Sequence, residues 1–88
     1  MSDLAAPGGR DSDLRYMRVA NDIAARIKSG ELAPGTRLRS ELDLAERYGV
    51  AYQTIRHAMK VLRERGLIVS IQGRGTFVQD PLPDATVP

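Results

Sequence analysis

Ser40-Glu41-Leu42-Asp43-Leu44-Ala45-Glu46-Arg47-Tyr48-Gly49-Val50-Ala51-Tyr52-Gln53-Thr54-Ile55-Arg56-His57-Ala58-Met59 is the stretch on which the fold turns. The Ser40 hydroxyl is suited to cap free backbone N–H groups, and Asp43, three residues on, falls in the positive first turn, a variant of the capping box. A helix therefore starts at Ser40, with Leu42, Ala45 and Tyr48 expected to face inward, and Gly49 stops it. A further helix is predicted from about Gln53 to Arg65. Ile55, Ala58, Met59 and Leu62 form its inward face, and Gln53, Arg56, His57, Lys60 and Arg63 fall largely on the others. Gly66 ends it. Two helices separated by about four residues fit a helix-turn-helix, in which the first crosses a DNA backbone and the second enters the major groove.

Upstream, Tyr16, Val19, Ala20, Ile23 and Ile27 recur at spacings of three and four, which predicts a helix over Leu14 to Ser29 with Gly30 as its stop. Pro34-Gly35 makes a turn, and Thr36-Arg37-Leu38 is read as a very short strand. Downstream of Gly66 the period changes. Leu67 to Gln72 and Thr76 to Gln79 read as strands joined by a Gly73-Arg74-Gly75 turn, a hairpin with a basic tip. The predicted fold is mainly α with a small β-hairpin, a winged helix-turn-helix of three helices plus a wing over residues 14–79. Residues 1–13, with Ala-Ala-Pro-Gly-Gly and scattered Asp and Ser, are expected to form a disordered arm, and residues 80–88, with Pro81 and Pro83, a flexible tail or linker stub.

The 88 residues allow one small core. No cysteine is present, so disulfides, thiolate metal sites and cysteine nucleophiles are excluded, which fits a cytoplasmic location. The longest apolar run, Leu67-Ile68-Val69, is far short of the roughly 20 residues needed to span a bilayer, so no membrane partner is expected. Twelve of the thirteen Lys and Arg residues lie between Arg15 and Arg74 against six of the eleven acids, leaving that body a surplus of six positive charges between acidic ends. A basic body suits a phosphate-backbone partner, because each neutralised phosphate releases counterions; a generic solvated surface explains the charge about equally well.

The order of motifs settles more. Ile27-Lys28-Ser29-Gly30-Glu31-Leu32-Ala33-Pro34-Gly35-Thr36-Arg37-Leu38, then Ser40 to Ala45, Gly49-Val50, Thr54 to Met59, Leu62 to Ile68 and Gly73-Arg74-Gly75-Thr76-Phe77-Val78 together resemble the GntR family of bacterial winged-helix regulators over about residues 14–79. The resemblance implies a transcriptional regulator, most often a repressor, that binds a two-fold-related double-stranded DNA operator, with a homodimer forming on the DNA. It also implies contacts from the residues opening the third helix (Gln53, Thr54, Arg56) and from the wing tip (Gly73, Arg74, Gly75). Family members usually carry a larger C-terminal domain for metabolite binding and dimerisation, so no small-molecule effector site is expected within this chain.

Two departures bear on the operator. Arg39 stands where the family usually has Pro before Ser40-Glu41, and Ala51-Tyr52 stands where it usually has Ser or Thr followed by Arg. The missing hydroxyl at residue 51 weakens the start of the third helix, and the missing Arg removes a guanine or phosphate contact. Arg39 is positioned in sequence to return the charge, and Tyr52 to offer a hydroxyl to phosphate or a ring to a thymine methyl. The candidate DNA-binding set is therefore Arg39, Ser40, Tyr52, Gln53, Thr54, Arg56, Lys60, Gly73, Arg74 and Gly75. Gln53 matches adenine and Arg56 matches guanine or a phosphate; a solvated helix face is the plainer account of both. His57 has no Asp or Ser constellation around it and is read as a partly exposed helix residue. No catalytic residue, metal site or cofactor is expected, and an enzyme is the weakest reading. The rivals are a winged-helix protein-interaction module, whose third helix would expose apolar rather than basic residues, and a plasmid-partition or architectural DNA-binding protein.

Overall fold

The computed structural model describes residues 7–83. Its elements are α1 (Pro7–Ser29), α2 (Glu41–Tyr48), α3 (Tyr52–Glu64), β1 (Ile68–Ile71) and β2 (Gly75–Val78), the order of a winged helix-turn-helix. α1 starts earlier than its apolar period indicates. The arm expected over residues 1–13 is helical from Pro7, and residues 1–6 lie outside the described residues. Proline suits a first helical position because its φ is preset and its missing N–H has no partner there. Extending an existing helix needs no new nucleus, which offsets the cost of Gly8 and Gly9, about 1 kcal/mol each relative to Ala.

Ser40 caps α2 as its sequence indicates, its Oγ accepting from the Asp43 N–H at 3.1 Å. The reciprocal half of the capping box is not made, because the Asp43 carboxylate accepts instead from Arg39 and Arg47. Gly49 closes the helix at φ 66°, and the Val50 N–H donates to the Ala45 carbonyl at 3.0 Å. The inward face differs from expectation. Leu42 is 70% exposed, and Leu44 takes the core position beside the half-buried Ala45 and Tyr48. At 3.6 residues per turn Leu42 lies roughly 110° around the helix from the stripe of Leu44, Ala45 and Tyr48.

α3 has Ala51 at its N-cap, in extended conformation (φ −67°, ψ 151°) and with no side-chain cap hydrogen bond. That backbone already has the geometry a capping hydroxyl needs. Ala51→Ser is therefore expected to raise unfolding stability by about 0.5–2 kcal/mol, read as a higher denaturant midpoint at unchanged slope. No change would mean that solvent already serves those N–H groups as well as a serine would.

β1 and β2 pair antiparallel, Ile68 with Val78 and Ile71 with Gly75. The turn accordingly occupies residues 72–74, and Gly75, expected in it, belongs to β2. The short strand expected at Thr36–Leu38 is a single bridge between Arg37 and Phe77, flanked by hydrogen bonds from the Leu38 N–H to the Thr76 carbonyl and from the Val78 N–H to the Thr36 carbonyl, both 2.8 Å. These bonds fasten the wing to the segment that leads into α2. The core lies between α1 (Val19, Ala20, Ile23, Ala24, Ile27) and α3 (Ile55, Ala58, Met59, Leu62), closed by Leu44, Leu67, Ile68 and Val78. Part of the expected loose tail also packs: Leu82 lies against this core, because an apolar side chain next to an open core edge gains more by burial than by solvation. Residues 84–88 lie outside the described residues.

α2 is pinned to α1 by the Tyr48 hydroxyl, which donates to Asp22 Oδ2 at 2.7 Å, while Arg26 Nε donates to the same oxygen at 3.0 Å. The bond from Tyr48 and then that from Arg26 hold the Asp22 carboxyl below its ordinary range. Burial, and then the bond to Asp22, push the Tyr48 phenol up to about 12. The fold prefers the protonated phenol, so this contribution is fully present below the ordinary value of 10.0 and is lost as pH rises through about 12. Tyr48→Phe is expected to cost about 1 kcal/mol at neutral pH and to flatten the fall in stability between these values, measured by denaturant unfolding across the alkaline range. Parallel curves for the two proteins would remove Tyr48 from the linkage.

Candidate nucleic-acid interface

The side of α3 turned away from the core is built from residues whose phase on the helix keeps them out of it. Gln53, Arg56 and Lys60 are all exposed and line one shallow surface with His57 and Arg63. Among the described residues none of Arg56, Lys60 and Arg63 is paired with a carboxylate, whereas Arg26, Arg39 and Arg47 are held by Asp22, Glu31 or Asp43 on other faces. Three unpaired cations thus share this outward side of α3. Arg56 also lies 6.0 Å from the centre of the Tyr52 ring, one turn earlier, a weak cation–π contact.

The remaining expected residues divide into four groups. Arg39, Ser40 and Gly75 line a groove between the start of α2 and the wing, together with Arg37 and Met59. Ser40 has its oxygen engaged as the α2 cap, and Arg39 donates to Asp43 at 3.4 Å, so Arg39 is a partly neutralised cation rather than a free replacement for the arginine missing at residue 52. Tyr52 is 40% exposed and its hydroxyl donates to Glu41 Oε1 at 3.1 Å, a bond that ties the start of α3 to the start of α2. Gly73 and Arg74 are exposed at the wing tip. Thr54 is the correction within this set: at 8% exposure its side chain turns into the core edge with Ile55 and Ala58, because residues 54, 55 and 58 share one helical stripe. It supports the opening turn of α3 from behind.

His57 is exposed and stacks on Tyr16 of α1, ring centroids 3.6 Å apart and planes 12° off parallel, a contact at the edge of the α1–α3 packing. Two basic residues lay outside the expected set. Arg63 donates to the Ser70 hydroxyl at 3.0 Å, linking the last turn of α3 to β1, and Ser70 in turn meets the Thr76 hydroxyl at 3.3 Å. Arg37 lies over Gly75: a Cβ there would meet its Nε at 2.8 Å, a contact the flexible side chain can relieve, so what calls for glycine at residue 75 is its φ of +123°. Neither link is readable locally, since each joins residues that meet only when the wing folds back.

Comparison with known proteins agrees with this geometry. The chain is 39% identical over 66 residues to the HTH-type transcriptional repressor NagR of Bacillus subtilis (strain 168), an alignment spanning 75% of this chain and 27% of that protein. It is 39% identical over 80 residues to the histidine utilization repressor of Pseudomonas aeruginosa, spanning 91% of this chain and 32% of that protein. The chain therefore covers about a quarter to a third of the length of these curated relatives. Among solved structures, the DNA-binding domain of AraR in complex with operator ORR3 superposes with a TM-score of 0.69 at 38% identity, covering 73% of this chain and 77% of that one. Residues 15–78 match the family of bacterial regulatory proteins, gntR family, and with that match extending from α1 to the end of the wing, the chain belongs to the GntR family.

Proposed function

We propose that this chain binds double-stranded DNA sequence-specifically as the operator-reading part of a transcriptional regulator, with repression as the outcome. The observation that carries the reading is the exposed row of Gln53, Arg56 and Lys60 on α3, without carboxylate partners among the described residues and beside a wing with a basic tip. α3 takes the major groove, the residues of its first two turns meeting base edges, while Gly73 and Arg74 reach the neighbouring minor groove or its backbone. The named repressors among its relatives, and the operator complex of the AraR domain, support the same use of the fold. The bound form is a pair of copies on two half-sites. The activity is binding in the cytoplasm rather than catalysis, and metabolite sensing belongs outside these residues.

Selection from random duplexes, followed by affinity measurement against salt, tests the reading. The expected result is a consensus with two related half-sites about one helical turn apart and a log–log salt slope of about −0.9 per neutralised phosphate. No enrichment together with a flat salt response would discard it in favour of a protein-interaction module.

A further inference from the structure

Arg37 has a position that its sequence context does not announce. It lies in the single bridge that fastens the segment before α2 to β2, and its guanidinium is laid across Gly75. The side chain is exposed and lies close over the glycine: a Cβ at residue 75 would be 2.8 Å from Nε and 3.3 Å from the terminal nitrogen Nη2. It lines the groove between the helix-turn-helix and the wing with Arg39, Ser40, Asp43, Met59 and Gly75. Of the acids there, Asp43 is held by Arg39 and Arg47, and Glu41 accepts from the neutral Tyr52 hydroxyl and keeps its charge. Among the described residues Arg37 is in no ion pair, so its guanidinium donors are left for a ligand.

The proposed docking gives that groove an occupant. If α3 enters a major groove and the wing tip the adjacent minor groove, one sugar–phosphate strand separates the two and passes the wing on the side that faces the helix-turn-helix. We propose that Arg37 is a phosphate clamp on that intervening strand, reaching it from its place over Gly75 at the edge of the groove. The inference rests on the DNA-binding reading and adds to it a named contact with the backbone. A guanidinium is matched to two phosphate oxygens at once. Such a contact sets the distance between helix and wing on the duplex without reading a base.

The experiment uses the duplex selected by the native chain, a set of otherwise identical duplexes each carrying one neutral methylphosphonate linkage, and the variants Arg37→Ala and Arg37→Lys. Arg37→Ala is expected to bind roughly 5- to 10-fold more weakly, with a salt slope shallower by about 0.9 and an unchanged base preference. One linkage position should cost the native protein a similar factor and cost Arg37→Ala nothing further. Arg37→Lys should restore the slope but not the full affinity, because its ammonium cannot reproduce the two-pronged contact. Denaturant midpoints of the variants separate loss of fold from loss of contact, and a merely structural Arg37 would leave no linkage position selectively silent in the variant. Unchanged affinity and slope for Arg37→Ala, or equal sensitivity of both proteins at every linkage, overturns the clamp while DNA binding stands. Absence of any preferred duplex for the native chain overturns the DNA reading, and the clamp with it.

Discussion

Leu62→Ala is expected to destabilise the domain by about 2–5 kcal/mol, enough to leave a core this small largely unfolded at moderate temperature. Leu62 is 0% exposed, on the α3 face shared with Ile55, Ala58 and Met59, where α1, α3 and the wing converge. Truncation there removes buried apolar surface and leaves a cavity that α1 and β1 cannot both move to fill, since β1 is tied to β2 and, through it, to Thr36 and Leu38. Leu42→Ala makes the same chemical change on an exposed side chain and is expected to stay within about 0.5 kcal/mol. Denaturant midpoints for the two variants check the pair. Similar losses at both positions would show that Leu42 is covered in solution, which the arrangement of α2 contradicts.

These two leucines also show how far the sequence could be read. Four turns of α1 repeat their apolar residues often enough to set the phase of the helix, and its core residues Val19, Ala20, Ile23 and Ile27 follow from spacing. α2 has only eight residues, and with apolar side chains at 42, 44, 45 and 48 its local pattern admits two inward faces; contact with α1 through Tyr48 and Asp22 selects one of them. The ends of α2 are local chemistry, a serine oxygen on one N–H and a glycine at positive φ, and were legible for that reason. Thr54 misled in another way. Its polarity and its place in the family motif point outward, yet its phase beside Ile55 and Ala58 points in, and phase decides. Arg37 and Gly75 are separated by the whole helix-turn-helix, so nothing near either residue foretells that one guanidinium occupies the space above the other. The outward row on α3 was readable because position along one helix was enough to place it.

Arg56→Ala is expected to weaken binding to the selected duplex by about 1–3 kcal/mol, roughly 5- to 150-fold, with the loss concentrated at one base pair. Arg56 is one turn inside the start of α3, within the part of a recognition helix that approaches base edges, and the Tyr52 ring behind it limits how far the guanidinium can fold back. A guanidinium paired with both major-groove acceptors of a guanine loses both hydrogen bonds on truncation, so duplexes altered at that base pair should be bound equally by native and variant chains. Lys60, a turn farther along and without an aromatic neighbour to orient it, is expected to behave differently: Lys60→Ala should weaken all duplexes alike and make the salt slope shallower by about 0.9. Measuring both variants against a panel of single-base-pair changes at two salt concentrations separates the roles. An even loss with a shallower slope for Arg56→Ala would transfer it to the backbone, and sequence reading would then fall to Gln53 and the wing. That outcome would be intelligible on this surface, because Tyr52 stands where the family usually has an arginine and Arg56 lies beside it, 6.0 Å from its ring centre.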